Sequence, residues 1–323
     1  MIDISIIICC FNSEHLIEKT LRHIVLQNVK GNLTYEVILV DNNCTDQTVT
    51  IARDLWGFVG AKADLKIVSE SKPGLSYARK TGVLHSNADF ILFCDDDNWL
   101  EANYLQIAYN FMVKNPKVGA LGGQSIGVLE MEPLPSWWQD QATNYAVGEQ
   151  ASQSGDVTKR GYLWGAGMVI RKDILVRLYE TGFRSLLSDR KGNELSSGGD
   201  SEICKWIQLM GFKLWYLDSL KFKHYITEKR LTAAYLNKLL EGHHQARNTL
   251  HLYNWFIRSD IYKKVLSFTL LERFIFLKKG VKAFLKKENR WKTDLQLAFG
   301  TFINVYPNLF RIILTYKHLR KQH

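Results

Sequence analysis

Through the first 125 residues, short apolar runs alternate with stretches whose apolar positions recur every three or four residues. "ISIIICCF" (4–11), "YEVILV" (35–40), "LKIV" (65–68) and "FILFC" (90–94) are nearly continuous and rich in β-branched residues, the pattern of strands covered on both faces. Between and after them, "SEHLIEKTLRHIVLQ", "TDQTVTIARDLW", "GLSYARKTGVLHS" and "NWLEANYLQIAYNFMVK" read as helices; in the first, Leu16, Thr20, His23 and Leu26 sit at helical spacing. This alternation predicts an α/β fold built on a mostly parallel open sheet flanked by helices.

The pattern dissolves from about Leu129 to Arg160, which predicts a long loop across the mouth of the sheet. Loops of that length in compact domains are functional or disordered, and Trp137, Trp138 and Tyr145 argue against disorder because large aromatics need packing partners. A shorter α/β part resumes with "YLWGAGMVIRKDILVRLYE". The loop "SDRKGNELSSGGDSE", the helix "ICKWIQLMG" and the strand "FKLWYLD" follow, with mainly helices expected beyond Lys223.

Ligands of open α/β sheets bind outside the carboxyl ends of the strands, so polar residues at those ends carry the chemistry. Three strands end this way: at Phe11 to Ser13, at Asp41 to Asn43, and at Asp95, Asp96, Asp97 and Asn98. Three adjacent carboxylates suit a hard divalent cation, magnesium or manganese, which cancels their repulsion and takes further ligands from phosphates. If the strand continues through them, Asp95 and Asp97 point one way and Asp96 the other. The plain alternative is that the acids cap the following helix, with Asp97 or Asn98 as N-cap.

"GGDSE" (198–202) places Asp200 and Glu202 at the start of a helix, where Asp200 suits a general base; the alternative is an N-cap with Glu202 as a first-turn charge favoured by the helix dipole. His224 is a candidate metal ligand or proton shuttle, or a structural histidine. Arg79 and Lys80 stand near a helix start after a Pro-Gly turn, where a basic group meets a diphosphate. Trp137, Trp138 and Trp164 offer flat aromatic faces to a ligand, with core packing as the competing role.

Composition narrows the class. The 46% hydrophobic and 23% charged content is that of an ordinary soluble protein. No apolar window reaches the roughly 18 residues of a membrane span, and "MIDISIIICC" lacks the basic start and cleavage site of a signal peptide. The five cysteines form no CxxC pair, so a reducing cytoplasm is expected. The net charge of +10 is uneven: residues 258–323 hold 15 Lys and Arg against 4 Asp and Glu, a net +11, leaving 27 against 28, or −1, for the rest. In that tail Leu266, Leu270, Phe274, Leu277, Val281 and Phe284 recur at helical spacing, with Lys279, Lys282 and Lys286 largely on another face. Such a helix suits the anionic inner face of a membrane, giving an expected peripheral location; a solvated extension packed on the main domain is the alternative. No motif for nucleic acid accompanies the charge.

In order along residues 3 to 226, these segments resemble the inverting family 2 glycosyltransferases with the GT-A fold, of the non-processive bacterial type. "ISIIICCFN" is similar to the family's opening strand, "EVILVDNNCTDQT" to its second strand, and "KPGLSYARKTGV" to its Gly-x-x-x-Ala-Arg segment. "ADFILFCDDDNWL" resembles its strand ending in Asp-x-Asp, "WGAGMVIRKDIL" its acceptor-side segment, and "GGDSEICKWIQLMGFKLWY" its Glu-Asp helix.

The resemblance implies a GT-A domain over 1–228, with a nucleotide-binding half (1–125) and an acceptor and catalytic-base half (126–228), followed by a basic helical extension over 229–323. It implies that Asp41, Asn42 and Asn43 meet the base and ribose beside the Phe11 and Asn12 backbone, and that Arg79 approaches the base or diphosphate. Asp95 and Asp96 would lie at the ribose or the shell of a Mn2+ or Mg2+ ion, with Asp97 as its direct ligand and His224 as a further one. Asp200 would be the base, with Glu202 its rival because Gly199 stands where the family has Glu. A nucleoside-diphosphate sugar would be the donor, and a glycan or lipid-linked hydroxyl the acceptor, met by Trp137, Trp138 and Trp164, in surface polysaccharide assembly. No Gln-x-x-Arg-Trp motif is present, so single sugar addition is expected. The competing functions are a nucleotidyltransferase, whose Gly-rich triphosphate loop "CCFNSEHL" lacks, and a non-catalytic glycan- or membrane-binding protein.

Overall fold

A computed structural model describes residues 2–187, 189–190, 197–258, 270–286 and 307–321. Four strands, β1 (Ile2–Cys10), β2 (Tyr35–Asp41), β3 (Leu65–Ser69) and β4 (Ala88–Phe93), alternate with helices α1 (Ile17–Val25), α2 (Thr48–Val59) and α3 (Leu75–His85). The short strand β5 (Asn98–Leu100), helix α4 (Tyr104–Lys114) and the long strand β6 (Val118–Leu129) follow. Next come α5 (Trp138–Gln141), a 3-10 turn over Ala142–Tyr145, β7 (Gly155–Asp156), β8 (Val169–Arg171), α6 (Lys172–Glu180), α7 (Gly199–Leu209) and β9 (Lys213–Ile226). A 3-10 turn over Glu228–Arg230 leads to α8 (Ala233–Arg258), and α9 (Leu270–Leu285) and α10 (Pro307–Lys321) are the last of the described elements.

One sheet runs in the order β3-β2-β1-β4-β8-β6-β9-β5, with β7 paired to β9. The β3-β2-β1-β4 half is parallel throughout. Antiparallel β8 joins it to β6, which pairs parallel with β9. The expected mostly parallel sheet with helices on its faces is therefore the fold, made mixed by antiparallel β8, β5 and β7. The continuous apolar runs are explained by burial on both faces: Ile6, Ile8, Val37, Leu39 and Leu92 on one and Ile7, Ile38, Val40 and Ile91 on the other are all at most 1% accessible, each contributing roughly 1.5 to 3 kcal/mol of transfer free energy.

Three features differ from the sequence reading. In α1 the buried stripe is Ile17, Thr20, Leu21 and Ile24, while Leu26 is exposed, so the helix is rotated relative to the expected face. β6 was not expected, because four glycines thin its apolar pattern. They are there for close approach: a Cβ on Gly119 would meet Ile207, Phe212 and Ile174, and one on Gly123 would strike the Leu220 carbonyl. Finally, β4 ends at Phe93 and α4 starts only at Tyr104. The three acids thus lie in the turn between β4 and β5, and neither strand alternation nor helix capping governs them.

The described chain divides into two compact units, Met1–Asn248 and Thr249–His323. The first extends past residue 228, the boundary expected from the resemblance, because Leu231, Leu236 and Leu239 pack with Trp138, Tyr145 and Ile226. Of the tail helix, α9 covers 270–285 and Leu266 lies outside the described residues. No helix among the described residues is long and apolar enough to cross a membrane.

Candidate active site

The rim at the carboxyl ends of β1, β2 and β4 is assembled by sheet register, which sets Cys10 beside Asp41 and Ile7 beside Phe93. The loop after β1 leaves Phe11 half exposed. Asn12 takes a left-handed backbone (φ 55°), and its side-chain oxygen accepts from the Thr45 amide at 2.8 Å. Asp41 accepts from the Cys44 amide at 2.8 Å, and Asn43, also left-handed (φ 68°), donates to Ser71 O at 3.1 Å. Asn42 is buried and committed: its amide donates to Glu70 O and Lys72 O, and its oxygen accepts from the Gly74 amide. Its side chain therefore fixes the β3–α3 loop, with both amide hydrogens spent and a single oxygen lone pair left.

Arg79, buried in α3, lies over the Phe93 ring with its guanidinium 3.9 Å from Asp95 and 3.8 Å from Asp189. Asp95 keeps a partly open side chain. Asp96 accepts from the Ser13 hydroxyl through Oδ2, and its carbonyl accepts from Thr20. Burial first, and then the neighbouring charges of Asp97 and Asp95, push the Asp96 carboxyl up to about 7. Asp97 behaves oppositely despite its burial: His224 and Arg230 hold its carboxyl far below the usual carboxylate range. Its Oδ1 accepts from Asn98 at 3.0 Å, and its Oδ2 meets Arg230 Nη1 at 2.6 Å and His224 Nε2 at 3.4 Å. The pairing of β5 with β9, which sets Asn98 opposite His224, brings that imidazole to the acids.

Asp97 and His224 are suited to a divalent cation. Two ligands about 2.1 Å from one ion at adjacent positions stand roughly 3 Å apart, close to the observed 3.4 Å between Asp97 Oδ2 and His224 Nε2. Among the described residues no group of three or more His, Cys, Asp or Glu side chains is arranged to hold a metal. An ion on this pair would take its remaining ligands from water and phosphate oxygens.

Across the rim, Asp200 stands in the first turn of α7. Its Oδ2 accepts from the Gly165 amide at 2.8 Å and its Oδ1 from the Ser201 amide at 2.6 Å. This ties it to the Trp164-Gly165-Ala166-Gly167 segment, whose Gly167 amide donates to Phe93 O. The fit is tight: a Cβ on Gly165 would lie 2.7 Å from Arg79 Nη2 and 3.1 Å from Asp200 Cβ. Glu202, offered by the sequence as a rival base, is withdrawn from the rim. It is fully buried and accepts from the Ser185 hydroxyl and the Leu186 amide, anchoring the loop before α7.

The tryptophans also sort by packing. Trp138 is buried in a small core with Tyr145, Val147, Ile226 and Leu231. Trp137 stacks on Tyr145, leaving it half buried. Trp164 is buried under Arg160, whose guanidinium also covers Tyr162 at 4.2 Å. Trp138 and Trp164 are thus core residues rather than open platforms, and the exposed aromatic of that segment is Tyr162.

Two charged residues of the site were not singled out in the sequence. Asp189 sits in a left-handed conformation (φ 52°), and burial pushes its carboxyl up to about 6 against the pull of Arg79. Arg230 arrives from the turn after β9. Both come from irregular segments without periodicity; the only local cue to Arg230 is its position six residues after His224.

The model of the family described as Glycosyl transferase family 2 matches residues 5–178. Among curated relatives, the cholesterol galactosyltransferase of Borreliella burgdorferi is 29% identical over 33% of this chain and 28% of its own. The poly(ribitol-phosphate) β-N-acetylglucosaminyltransferase TarP of Staphylococcus aureus is 26% identical over 35% of this chain and 33% of its own. The chain thus spans about a third or less of the length of these relatives. The crystal structure of an S. aureus TarS fragment in complex with UDP-GlcNAc shares the fold, with a TM-score of 0.57 at 17% identity over 99% of this chain and 91% of that one.

Proposed function

The chain belongs to glycosyl transferase family 2 and is a glycosyltransferase, and from that premise we propose that it moves one sugar, with inversion, from a nucleoside-diphosphate sugar to a hydroxyl of a glycan or lipid-linked acceptor in surface polysaccharide assembly. The observation that carries this reading is the placing of two different carboxylate environments on one rim. Asp97 is held ionised beside His224, while Asp200 faces in from α7 on its bond to Gly165.

Inversion needs a base on the face of the sugar opposite the leaving group. Asp200 is suited to it because both backbone bonds fix the carboxylate's orientation while leaving lone pairs for an incoming hydroxyl. Arg79, fixed between Asp95 and Asp189, presents a permanent positive charge toward the donor's diphosphate. Phe11, Asp41 and Asn43 border the place for the base and ribose, and Tyr162 offers a flat face to an acceptor sugar. Asp97 and His224 would hold Mn2+ or Mg2+, which supplies charge stabilisation to a departing diphosphate.

The test is a panel of nucleotide sugars incubated with Mn2+, beginning with UDP-GlcNAc, scored for release of nucleoside diphosphate. Release from one donor supports the reading; pyrophosphate formation from a nucleoside triphosphate and a sugar phosphate would instead favour a nucleotidyltransferase.

The tail supports a second, independent part. On α9, Val281 and Leu285 are exposed one turn apart, and Lys278, Lys282 and Lys286 form an exposed stripe at the same spacing. An apolar stripe next to a lysine stripe matches an anionic bilayer surface. Sedimentation with vesicles of phosphatidylglycerol and phosphatidylcholine should show binding that is lost in phosphatidylcholine alone and in Lys278→Glu/Lys282→Glu; equal binding to both vesicles would remove this part.

A further inference from the structure

Arg230 is the residue whose position has no role in the mechanism above. Its guanidinium is mostly buried and bonded through Nη1 to Asp97 Oδ2, the oxygen that also faces His224. Its Nε is buried with no hydrogen-bond partner, an arrangement that costs a desolvated donor. The backbone around it is fixed: Arg230 donates its amide to Thr227 O, and its carbonyl accepts from the Tyr145 hydroxyl at 3.0 Å. The guanidinium also meets Tyr235, through a hydrogen bond and at 5.8 Å from its ring centroid, so on an anchored main chain the unsatisfied Nε and the carboxylate shared with His224 make the guanidinium the part that an arriving anion can redirect.

We propose that Arg230 is a donor-binding residue that holds Asp97 until the donor arrives and then turns its guanidinium to the diphosphate, so that cation and donor enter together rather than in turn. This rests on the reading of Asp97 and His224 as cation ligands. The charges explain the coupling. A free divalent cation meets a guanidinium already on the oxygen it requires, and a free diphosphate meets the carboxylates of Asp95, Asp96 and Asp97. A cation–diphosphate pair brings Asp97 a replacement for Arg230 and brings Arg230 a planar, bidentate acceptor. Breaking the Asp97 bond then leaves neither partner unpaired, the condition under which exchanging a buried ion pair is affordable.

The experiment compares wild type, Arg230→Gln and Arg230→Lys in two titrations: Mn2+ alone, followed by electron paramagnetic resonance of the free ion, and UDP at saturating Mn2+, followed by calorimetry. Arg230→Gln should bind Mn2+ alone about tenfold or more tightly and bind UDP about tenfold or more weakly, each the effect of one charged hydrogen bond. Arg230→Lys, which keeps the charge without the fork, should still oppose free Mn2+ and lose part of the UDP affinity, and it replaces the Gln variant if circular dichroism shows that variant unfolded. If wild type takes up Mn2+ with UDP but the variants change neither titration, or change both in the same direction, the role of Arg230 is refuted while the cation reading stands. If wild type takes up no Mn2+ with or without UDP, the cation reading fails and this inference with it.

Discussion

Gly165 is where the site tolerates least, and its replacement by alanine gives a quantitative expectation. The added Cβ would lie 2.7 Å from Arg79 Nη2 and 3.1 Å from Asp200 Cβ, whereas ordinary contacts begin at about 3.5 Å, so roughly 0.8 Å must be found. Neither neighbour yields easily. Arg79 is buried between two carboxylates, and Asp200 is fixed by the amides of Gly165 and Ser201. The strain should cost about 1 to 3 kcal/mol of stability, the usual range for overpacking. A displacement near 1 Å in a group that must meet a reacting atom costs on the order of 10²-fold in rate. Gly165→Ala should therefore remain folded with a modestly lower Tm while kcat falls about a hundredfold, measured with the donor the panel identifies. Gly155→Ala, whose Cβ would meet nothing within 4 Å, should match wild type in both respects. A folded Gly165→Ala protein turning over within threefold of wild type would refute the claim that Arg79 and Asp200 form one tightly fitted site.

Other consequences can be checked separately. Glu202→Ala should lower stability by about 1 to 3 kcal/mol, because the Ser185 hydroxyl and the Leu186 amide lose their buried acceptor; a melting curve unchanged within 1 °C would contradict that placement. Asp189 has its carboxyl raised to about 6 in the folded chain, so the folded state holds a proton that the unfolded state releases near pH 4. Its favourable contribution is complete below pH 4 and is lost as pH rises through 6. Asp189→Asn should consequently gain stability over wild type between pH 4 and 7, by on the order of 2 to 3 kcal/mol; urea titrations at both pH values giving parallel curves would exclude this. Asp97→Ala should abolish the dependence of UDP binding on Mn2+ in calorimetry, and an unchanged dependence would move the cation site elsewhere.

The first half of the sheet was legible because β1, β2 and β4 are apolar on both faces and carry polar residues only at the rim. Asp200 was legible for a related reason: the two glycines before it break the chain ahead of a helix, and Gly198 takes a left-handed backbone that other residues rarely adopt. β6 was not, since the glycines that let it lie close to Leu220 and Ile207 also erase its apolar signature. The acid triplet was found but misread in detail. Strand alternation stops at Phe93, where the strand ends, and the turn there buries Asp96 against Ser13 and gives Asp97 to Arg230. Asp189 and Arg230 lay out of reach because their meaning is entirely in long-range partners, Arg79 and Asp97, that no local pattern announces. Conversely, Asn42, Trp138 and Trp164 are residue types that often contact ligands, but here hydrogen bonding or burial has already claimed their side chains.

The most direct test of the central claim uses Asp200→Asn with the donor that wild type consumes. The amide can still accept from Gly165 but cannot take a proton from an acceptor hydroxyl, so kcat should fall by about 10²- to 10⁴-fold. UDP affinity at saturating Mn2+ should stay within about twofold, because the nucleotide is held at the other side of the rim. An Asp200→Asn protein that turns over within tenfold of wild type, or that loses nucleotide binding along with turnover, would contradict the assignment of Asp200 as the base of an inverting transfer.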